Sequence, residues 1–210
     1  MIELKDGYKN YGAIRSVEGV SLRVEDGKSL CLLGRSGCGK STVLKLIALI
    51  TRLDSGRLVM SGNEVSGMTD AEMDRFREEN IAYSFQEPLL IPYITALENL
   101  TVIVGTSKRR AAEMLTSLGL GDRLNHKPPK LSGGEKKRVD VARAVLKGSP
   151  ILVADEPLSS VDPENGAKVM ELLKAHADNG GIVIYSSVDP SQAKFADHVV
   201  SLAQKHDAQL

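Results

Sequence analysis

The chain has 210 residues, 42% of them hydrophobic, and 27 basic and 27 acidic residues give a formal net charge of +0. These totals predict one α/β domain over 1–210 with a full core, and the balanced charge argues against a strongly basic nucleic-acid-binding surface. No apolar run reaches the ~20 residues of a membrane-spanning helix. The charged first residues do not resemble a signal peptide. Cys31 and Cys38 lie at positions where no structural disulfide is expected, and this favours a reducing cytosol.

The first 33 residues predict short strands, over 2–4, 20–24 and 29–33, with a turn at Asp26-Gly27. Tyr11, between Asn10 and Gly12, is a candidate for stacking on an adenine base, because stacking needs only one flat ring face. The alternative is that Tyr11 packs as an ordinary aromatic residue.

A glycine-rich segment lies between the apolar run 30–33 and a second apolar run, 43–50. It consists of Gly34, Arg35, Ser36, Gly37, Cys38, Gly39, Lys40, Ser41 and Thr42. The pattern G-x-x-x-x-G-K-S between a strand and a helix is that of a phosphate-binding loop. Its glycines let backbone N–H groups converge on anionic oxygens at the positive end of the helix. Lys40 would reach the outer phosphates, and the Ser41 hydroxyl would complete a magnesium shell. The alternative is a glycine-rich turn that carries a lysine.

Residues 58–60 predict a strand, 69–78 a helix with a capping box between Thr69 and Glu72, and 81–85 a core strand. Gln86 follows this core strand, at the end where parallel sheets bind ligands. Its amide could coordinate magnesium or orient a water molecule. The alternative is a polar residue that opens a loop.

Residues 87–130 break the alternation of strands and helices, with helices expected over 95–101 and 108–118. We therefore predict an all-helical insert, about 87–147 with the helix that follows. That helix opens with Ser132, Gly133, Gly134 and Glu135. Ser132 and Glu135 could form a capping box and nothing more. Two glycines in a helix cost ~1 kcal/mol each, however, and they leave its amide-rich end bare for a second anion.

The apolar run 151–154 predicts a buried strand that ends at Asp155 and Glu156. Adjacent acids at that point need a cation or a solvent opening. Asp155 could hold magnesium through water and Glu156 could polarise an attacking water molecule. The alternative is that both acids cap the helix beginning near Pro163. A helix over 164–177, strands over 181–186 and 199–202, and a polar tail over 204–210 complete the prediction.

Five segments of the chain together resemble, in their order and spacing, the motifs of the ATP-binding subunits of ABC transporters. They are the glycine-rich loop, Gln86 and residues 131–135, 151–157 and 159–162. The resemblance covers nearly the whole chain. Residues 88–100 and 118–128 are most similar to the lipoprotein-releasing and macrolide-exporter ATPases, and the cell-division ATPase is similar too. The resemblance implies the α/β P-loop NTPase core of the ABC ATPase type, with an antiparallel β subdomain and an inserted α-helical subdomain.

The resemblance also implies a role for each motif in ATP hydrolysis with Mg²⁺. Tyr11 matches the adenine-stacking aromatic residue, and the loop with Lys40 matches Walker A. Asp155 matches the Walker B aspartate, which would share the metal with Ser41 and Gln86. Glu156 matches the catalytic glutamate. Gln86 matches the glutamine that senses both the nucleotide and the membrane subunit.

Two further matches imply a partner copy. The signature Ser132–Glu135 would bind the γ-phosphate of ATP held by the other protomer, and Asp162 belongs to the loop that links the two sites. The family pattern thus implies a head-to-tail dimer around two ATP molecules. It also implies an integral membrane permease-type subunit, no nucleic acid, and a place on the inner face of the cell membrane. A regulatory ATPase without transport and a dimerisation switch with little turnover are the alternatives.

One position departs from the family pattern. Where the family has a histidine that contacts the γ-phosphate and the attacking water, this chain has Val188. Valine has no donor, and loss of one preorganised donor typically costs ~10²–10³ in rate. Slow hydrolysis, or hydrolysis that depends on Glu156 alone, is therefore expected. None of the four histidines replaces the missing one, and all are expected on the solvated surface: His126, His176, His198 and His206.

Overall fold

The computed structural model describes residues 1–202. The predicted polar tail, 204–210, and His206 lie outside the described residues. The strands are β1 Ile2–Tyr11, β2 Ile14–Val24, β3 Ser29–Leu33, β4 Ser55–Met60, β5 Asn63–Glu64, β6 Ile81–Ser84, β7 Ile151–Ala154, β8 Ile182–Ser187 and β9 His198–Ser201. The helices are α1 Lys40–Ile47, α2 Asp70–Asn80, α3 Ala96–Val104, α4 Lys108–Ser117, α5 Gly133–Leu146, α6 Pro163–Asp178 and α7 Pro190–Ala193.

The central layer is a parallel sheet with the strand order β6-β7-β8-β3-β9. A second, antiparallel sheet has the order β2-β1-β4-β5. The carboxyl ends of β3, β6, β7 and β8 lie at one edge of the parallel sheet, because parallel strands point the same way. Each of these four strands is followed by a predicted motif. The glycine-rich loop follows β3, Gln86 follows β6, the Asp155–Glu156 pair follows β7, and Val188 follows β8. The topology therefore gathers the predicted motifs at the edge where such sheets bind ligands.

The hydrophobic core has two parts, one on each face of the parallel sheet. One part places α1 between the two sheets, and the other packs α3 to α6 on the opposite face. Alternate residues of β7 belong to different parts of the core. Ile151 and Val153 face α1, whereas Leu152 and Ala154 face the helices α3 to α6. A strand covered on both faces reads as a continuous apolar run, which is why β7 is evident in the sequence.

Three helices begin with a complete capping box. In each box the side chain of one residue accepts a hydrogen bond from the backbone N–H of the other, and the reverse. The pairs are Thr69 and Glu72 at α2, Thr95 and Glu98 at α3, and Ser132 and Glu135 at α5. The boxes at Thr69 and Ser132 are thus confirmed, and the one at Thr95 was not predicted. Each box satisfies two N–H groups that the first turn would otherwise leave unpaired.

Several predicted boundaries were wrong. β1 continues from Leu4 to Tyr11 although its second half is polar, because β2 and β4 pair with it on both sides. The helix expected over 43–50 begins at Lys40 and ends at Ile47, and Leu49 has a left-handed φ of 55°. The helical insert and the antiparallel subdomain of the predicted fold class are both present. No helix among residues 1–202 is long and apolar enough to cross a membrane.

Candidate active site

One cavity of about 200 Å³ brings together eight of the predicted site residues. Its lining comes from the glycine-rich loop and from the ends of β6 and β7, although these segments are far apart in sequence. The lining residues are Ser16, Ser36, Gly37, Gly39, Lys40, Ser41, Thr42, Gln86 and Glu156. Of these, Ser16 was not predicted, because no local pattern marks a β2 serine as part of the site.

The glycine-rich loop is held against β2 at its end. Gly39 has a left-handed φ of 101°, and a Cβ there would collide with the Ser16 carbonyl oxygen. The Ser16 and Thr42 hydroxyls share a hydrogen bond of 2.7 Å behind the loop. Glycine is therefore required at position 39 both for conformation and for space.

The Lys40 ammonium lies between the loop and Glu156. It donates hydrogen bonds to the carbonyl oxygens of Gly34 (2.8 Å) and Arg35 (3.1 Å), and it lies 3.8 Å from Glu156 Oε1. An ammonium has three donors, so a third remains for the cavity side. This arrangement supplies positive charge at the wall of the cavity.

The Asp155–Glu156 pair is organised by Ser186, a buried residue of β8. Its hydroxyl donates to Asp155 Oδ1 (2.6 Å) and accepts from the Glu156 N–H (2.9 Å). Asp155 is 2% exposed, whereas Glu156 lines the cavity with a φ of 46°. Neither acid caps the following helix, since Asp162 does so by accepting the Asn165 N–H. The alternative interpretation of these acids is therefore wrong.

Three of the predicted metal-ligating residues carry hard oxygen donors of the kind that magnesium prefers. They are the Ser41 hydroxyl, the Gln86 amide and the Asp155 carboxylate, and no group of three or more His, Cys, Asp or Glu side chains within residues 1–202 could hold a metal ion alone. Mg²⁺ usually keeps several waters and takes one or two protein carboxylates plus substrate phosphates. The donor set therefore fits Mg²⁺ bound together with a nucleotide.

The remaining predicted residues do not line the cavity. Tyr11 lies at the end of β1, 48% exposed, with Lys9 Nζ 5.7 Å from its ring centroid. Ser132 and Gly133 are exposed at the start of α5, and a Cβ at Gly134 would collide with the Ser160 carbonyl oxygen. The start of α5 thus packs directly on the loop that leads to Asp162.

Lys137 and Asp140, on the buried face of α5, also bear on the site and were missed by the sequence reasoning. Burial lowers the pKa of the Lys137 ammonium, an effect opposed by the Asp140 and Asp155 carboxylates. Burial raises the pKa of Asp140, opposed by the Arg143 guanidinium. No local pattern marks Lys137, because it lies within the charged run 135–138, whereas Asp140 is a single acid between two valines.

Val188 and the histidines complete the comparison with the prediction. Val188 is 53% exposed at the end of β8, and the next residue, Asp189, caps α7. His198 is exposed and lies 3.6 Å from a Glu25 carboxylate oxygen. The expected solvated position is wrong for His126 and His176, which are half-buried. Burial lowers the pKa of His176.

Comparison with known proteins supports the same interpretation. The family described as ABC transporter matches residues 17–159. The lipoprotein-releasing system ATP-binding protein LolD of Bacteroides thetaiotaomicron is 36% identical over 96% of this chain and 96% of its own length. The macrolide export ATP-binding/permease protein MacB of a Shewanella species is 32% identical over 96% of this chain, which spans only 33% of that protein.

A solved structure is also similar to this chain. It is the dimeric ATP-binding cassette MJ0796 in a post-hydrolysis state with ADP and Pi. It superposes with a TM-score of 0.89 at 32% identity, covering 96% of this chain and 94% of that chain. At this identity the likeness extends beyond the shape of the fold.

Proposed function

This chain belongs to the ABC transporter family and is an ATPase with an ABC-type nucleotide-binding domain, and from that premise we propose that it is the subunit that powers a membrane complex. In this role two copies close head to tail around two ATP molecules and transmit the closure to a membrane partner. The observation that carries the proposal is the single cavity formed by the glycine-rich loop, Lys40, Gln86 and Glu156.

The loop residues hold the triphosphate in this proposal. Backbone N–H groups of the loop and the Lys40 ammonium bind the phosphates, and the exposed ring of Tyr11 stacks on adenine. The N–H groups of Gly34 and Cys38 are not among them, because they donate to the Ser187 and Arg35 carbonyl oxygens. Ser41, Gln86 and Asp155 hold Mg²⁺, which when bound neutralises charge on the phosphates. Ser186 fixes the Asp155 carboxylate from behind, so the ligand is oriented before the metal arrives.

Glu156 acts as the general base in this mechanism. Its side chain lies at the cavity wall, 20% exposed, with the Lys40 ammonium 3.8 Å away. The Glu156 carboxylate can accept a proton from the attacking water. Val188 offers no donor to the developing charge, so the proposal includes slow hydrolysis in the isolated subunit.

The partner copy supplies what one chain lacks. The exposed start of α5, with Ser132, Gly133 and the Gly134 N–H, is proposed to bind the γ-phosphate of the nucleotide on the partner. Asp162 lies on the loop that packs against Gly134, so one rigid contact can connect both sites. The dimeric state of the similar cassette MJ0796 supports this assembly.

A groove of about 710 Å³ is the proposed contact with the membrane partner. It lies between α2, β6, the end of α3, the end of α5 and the residues that follow α1. Ile50 and Ile103 are exposed apolar residues of its lining, which also carries charges of both signs. The charged lining residues are Asp74, Arg77, Glu78, Arg143 and Lys147. An exposed apolar groove rimmed by charge fits a short amphipathic helix of another protein. We place the protein on the cytoplasmic face of the cell membrane through this contact.

Affinity capture tests the membrane role. Tagged protein with ATP is expected to retain one integral membrane protein from solubilised membranes of the source cells, and Ile103→Glu is expected to lose it. Phe195→Glu is the matched control, because Phe195 is 44% exposed and Ile103 49%. Equal capture by both variants would contradict the groove, and capture of a soluble protein alone would favour the regulatory role.

Val188 favours one alternative function, an ATP-dependent dimerisation switch. Such a switch would bind ATP and form dimers with negligible turnover. Measured turnover in the presence of the membrane partner separates the alternatives, because only the transport role requires that the partner accelerate hydrolysis.

A further inference from the structure

The inner face of α5 carries two charged side chains that are almost completely buried. Lys137 is 1% exposed and Asp140 is 0% exposed, and three positions separate them on the helix. Charged groups are buried only where specific partners compensate for the lost water. The partners of these residues therefore identify what α5 holds in place.

Among the contacts within residues 1–202, Lys137 donates hydrogen bonds only to main-chain carbonyl groups. Its ammonium donates hydrogen bonds to the carbonyl oxygens of Phe85 (2.6 Å), Gln86 (2.6 Å) and Asp155 (3.3 Å). Phe85 and Gln86 follow β6, and Asp155 follows β7. One ammonium thus joins the ends of two neighbouring strands and fastens both to α5.

Asp140 of α5 and Lys147 just after α5 bind β6 and the residue that follows it, but not β7. Asp140 Oδ2 accepts hydrogen bonds from the Ser84 hydroxyl (2.7 Å) and the Phe85 N–H (3.0 Å). Lys147 donates to the Ile81 carbonyl oxygen (2.6 Å) at the opposite end of the strand. Because β6 is an edge strand, its free backbone groups need such partners. Lys137 differs because it also reaches β7.

We propose that Lys137 is a positioning residue that holds Gln86 and Asp155 at the separation needed for both side chains to share one Mg²⁺ ion. This inference rests on the proposed function, in which those two residues are metal ligands. Removal of the ammonium would leave three carbonyl groups without a donor and free the two strand ends to move apart. Because Ser132 caps the start of α5, the same helix would carry both the contact with the partner's nucleotide and this clamp.

The test uses Lys137→Met, with Lys147→Met, just after the same helix, as the matched control. Mn²⁺ affinity is measured by electron paramagnetic resonance with a saturating non-hydrolysable ATP analogue. Affinity for a fluorescent analogue is measured without metal. Changes in groups that support metal ligands typically weaken metal binding 10–100-fold. We expect about tenfold weaker Mn²⁺ binding in Lys137→Met. Metal-free analogue affinity should be unchanged in that variant, and neither affinity should change in Lys147→Met.

A second variant keeps the test decisive if Lys137→Met fails to fold. In Lys137→Gln the side chain has two N–H donors, which cannot serve three carbonyl groups, so weaker Mn²⁺ binding is again expected. Wild-type Mn²⁺ affinity in the folded Lys137 variants would overturn the inference and leave the proposed function intact. Equal weakening in Lys147→Met would also overturn it, since loss of edge support would then be the cause. A wild-type protein that binds neither analogue nor Mn²⁺ would instead refute the proposed function.

Discussion

Replacing Glu156 with glutamine is expected to lower kcat for ATP hydrolysis by about 10²–10⁴-fold, the contribution of a well-placed general base. Glutamine keeps the size of the side chain but cannot accept the proton of the attacking water. Binding of ATP should survive, because the loop carbonyl contacts of Lys40 and the Ser186 bridge to Asp155 do not involve the Glu156 carboxylate. Phosphate release by purified protein measures kcat, and calorimetry measures binding.

A surface acid gives the control for this prediction. Glu164→Gln changes an exposed carboxylate in the first turn of α6 that pairs with Lys168, and it should leave kcat unchanged. If Glu156→Gln retains more than half of the wild-type kcat, Glu156 is not the base and another group must activate the water.

The second large effect is a gain. Val188→His is expected to raise the single-turnover rate of ATP cleavage by about 10²–10³-fold, because an imidazole can donate to the developing charge. Residue 188 lies at the end of β8, half-exposed, beside a loop that Asp189 orders by capping α7. The new side chain therefore has room and a fixed backbone. Quenched-flow mixing of excess enzyme with labelled ATP measures this rate without product release.

Two comparisons make the gain interpretable. Val188→Leu adds bulk without a donor and should match the wild type. In a Glu156→Gln background, Val188→His should recover little, since the base is missing. If the wild type already cleaves ATP fast and histidine adds nothing, the valine at this position has no consequence for hydrolysis.

The features that could be predicted from the sequence are local ones. β7 is evident because both of its faces are buried, and the boxes at Thr69 and Ser132 are evident because capping needs only a four-residue pattern. The glycine-rich loop is evident for the same reason, since a strand, a loop and a helix follow one another directly. Parallel topology then brings Gln86 and Glu156 to that loop.

The features that could not be predicted depend on distant parts of the chain. Ser186 meets Asp155 across 31 positions, and Lys137 meets Phe85 across 52. Nothing local distinguishes a bridging serine from any other strand serine. The polar second half of β1 shows the same limit, because its strand character comes from pairing with β2 and β4.

The central claim is that two copies of this chain close over ATP, and its most direct test is the mass of the Glu156→Gln protein in solution. Light scattering after gel filtration is expected to show twice the monomer mass with saturating ATP and Mg²⁺, and the monomer mass with ADP. Ser132→Arg in the same background should remain a monomer while binding ATP as tightly. A monomer at every ATP concentration that saturates the site would contradict the account.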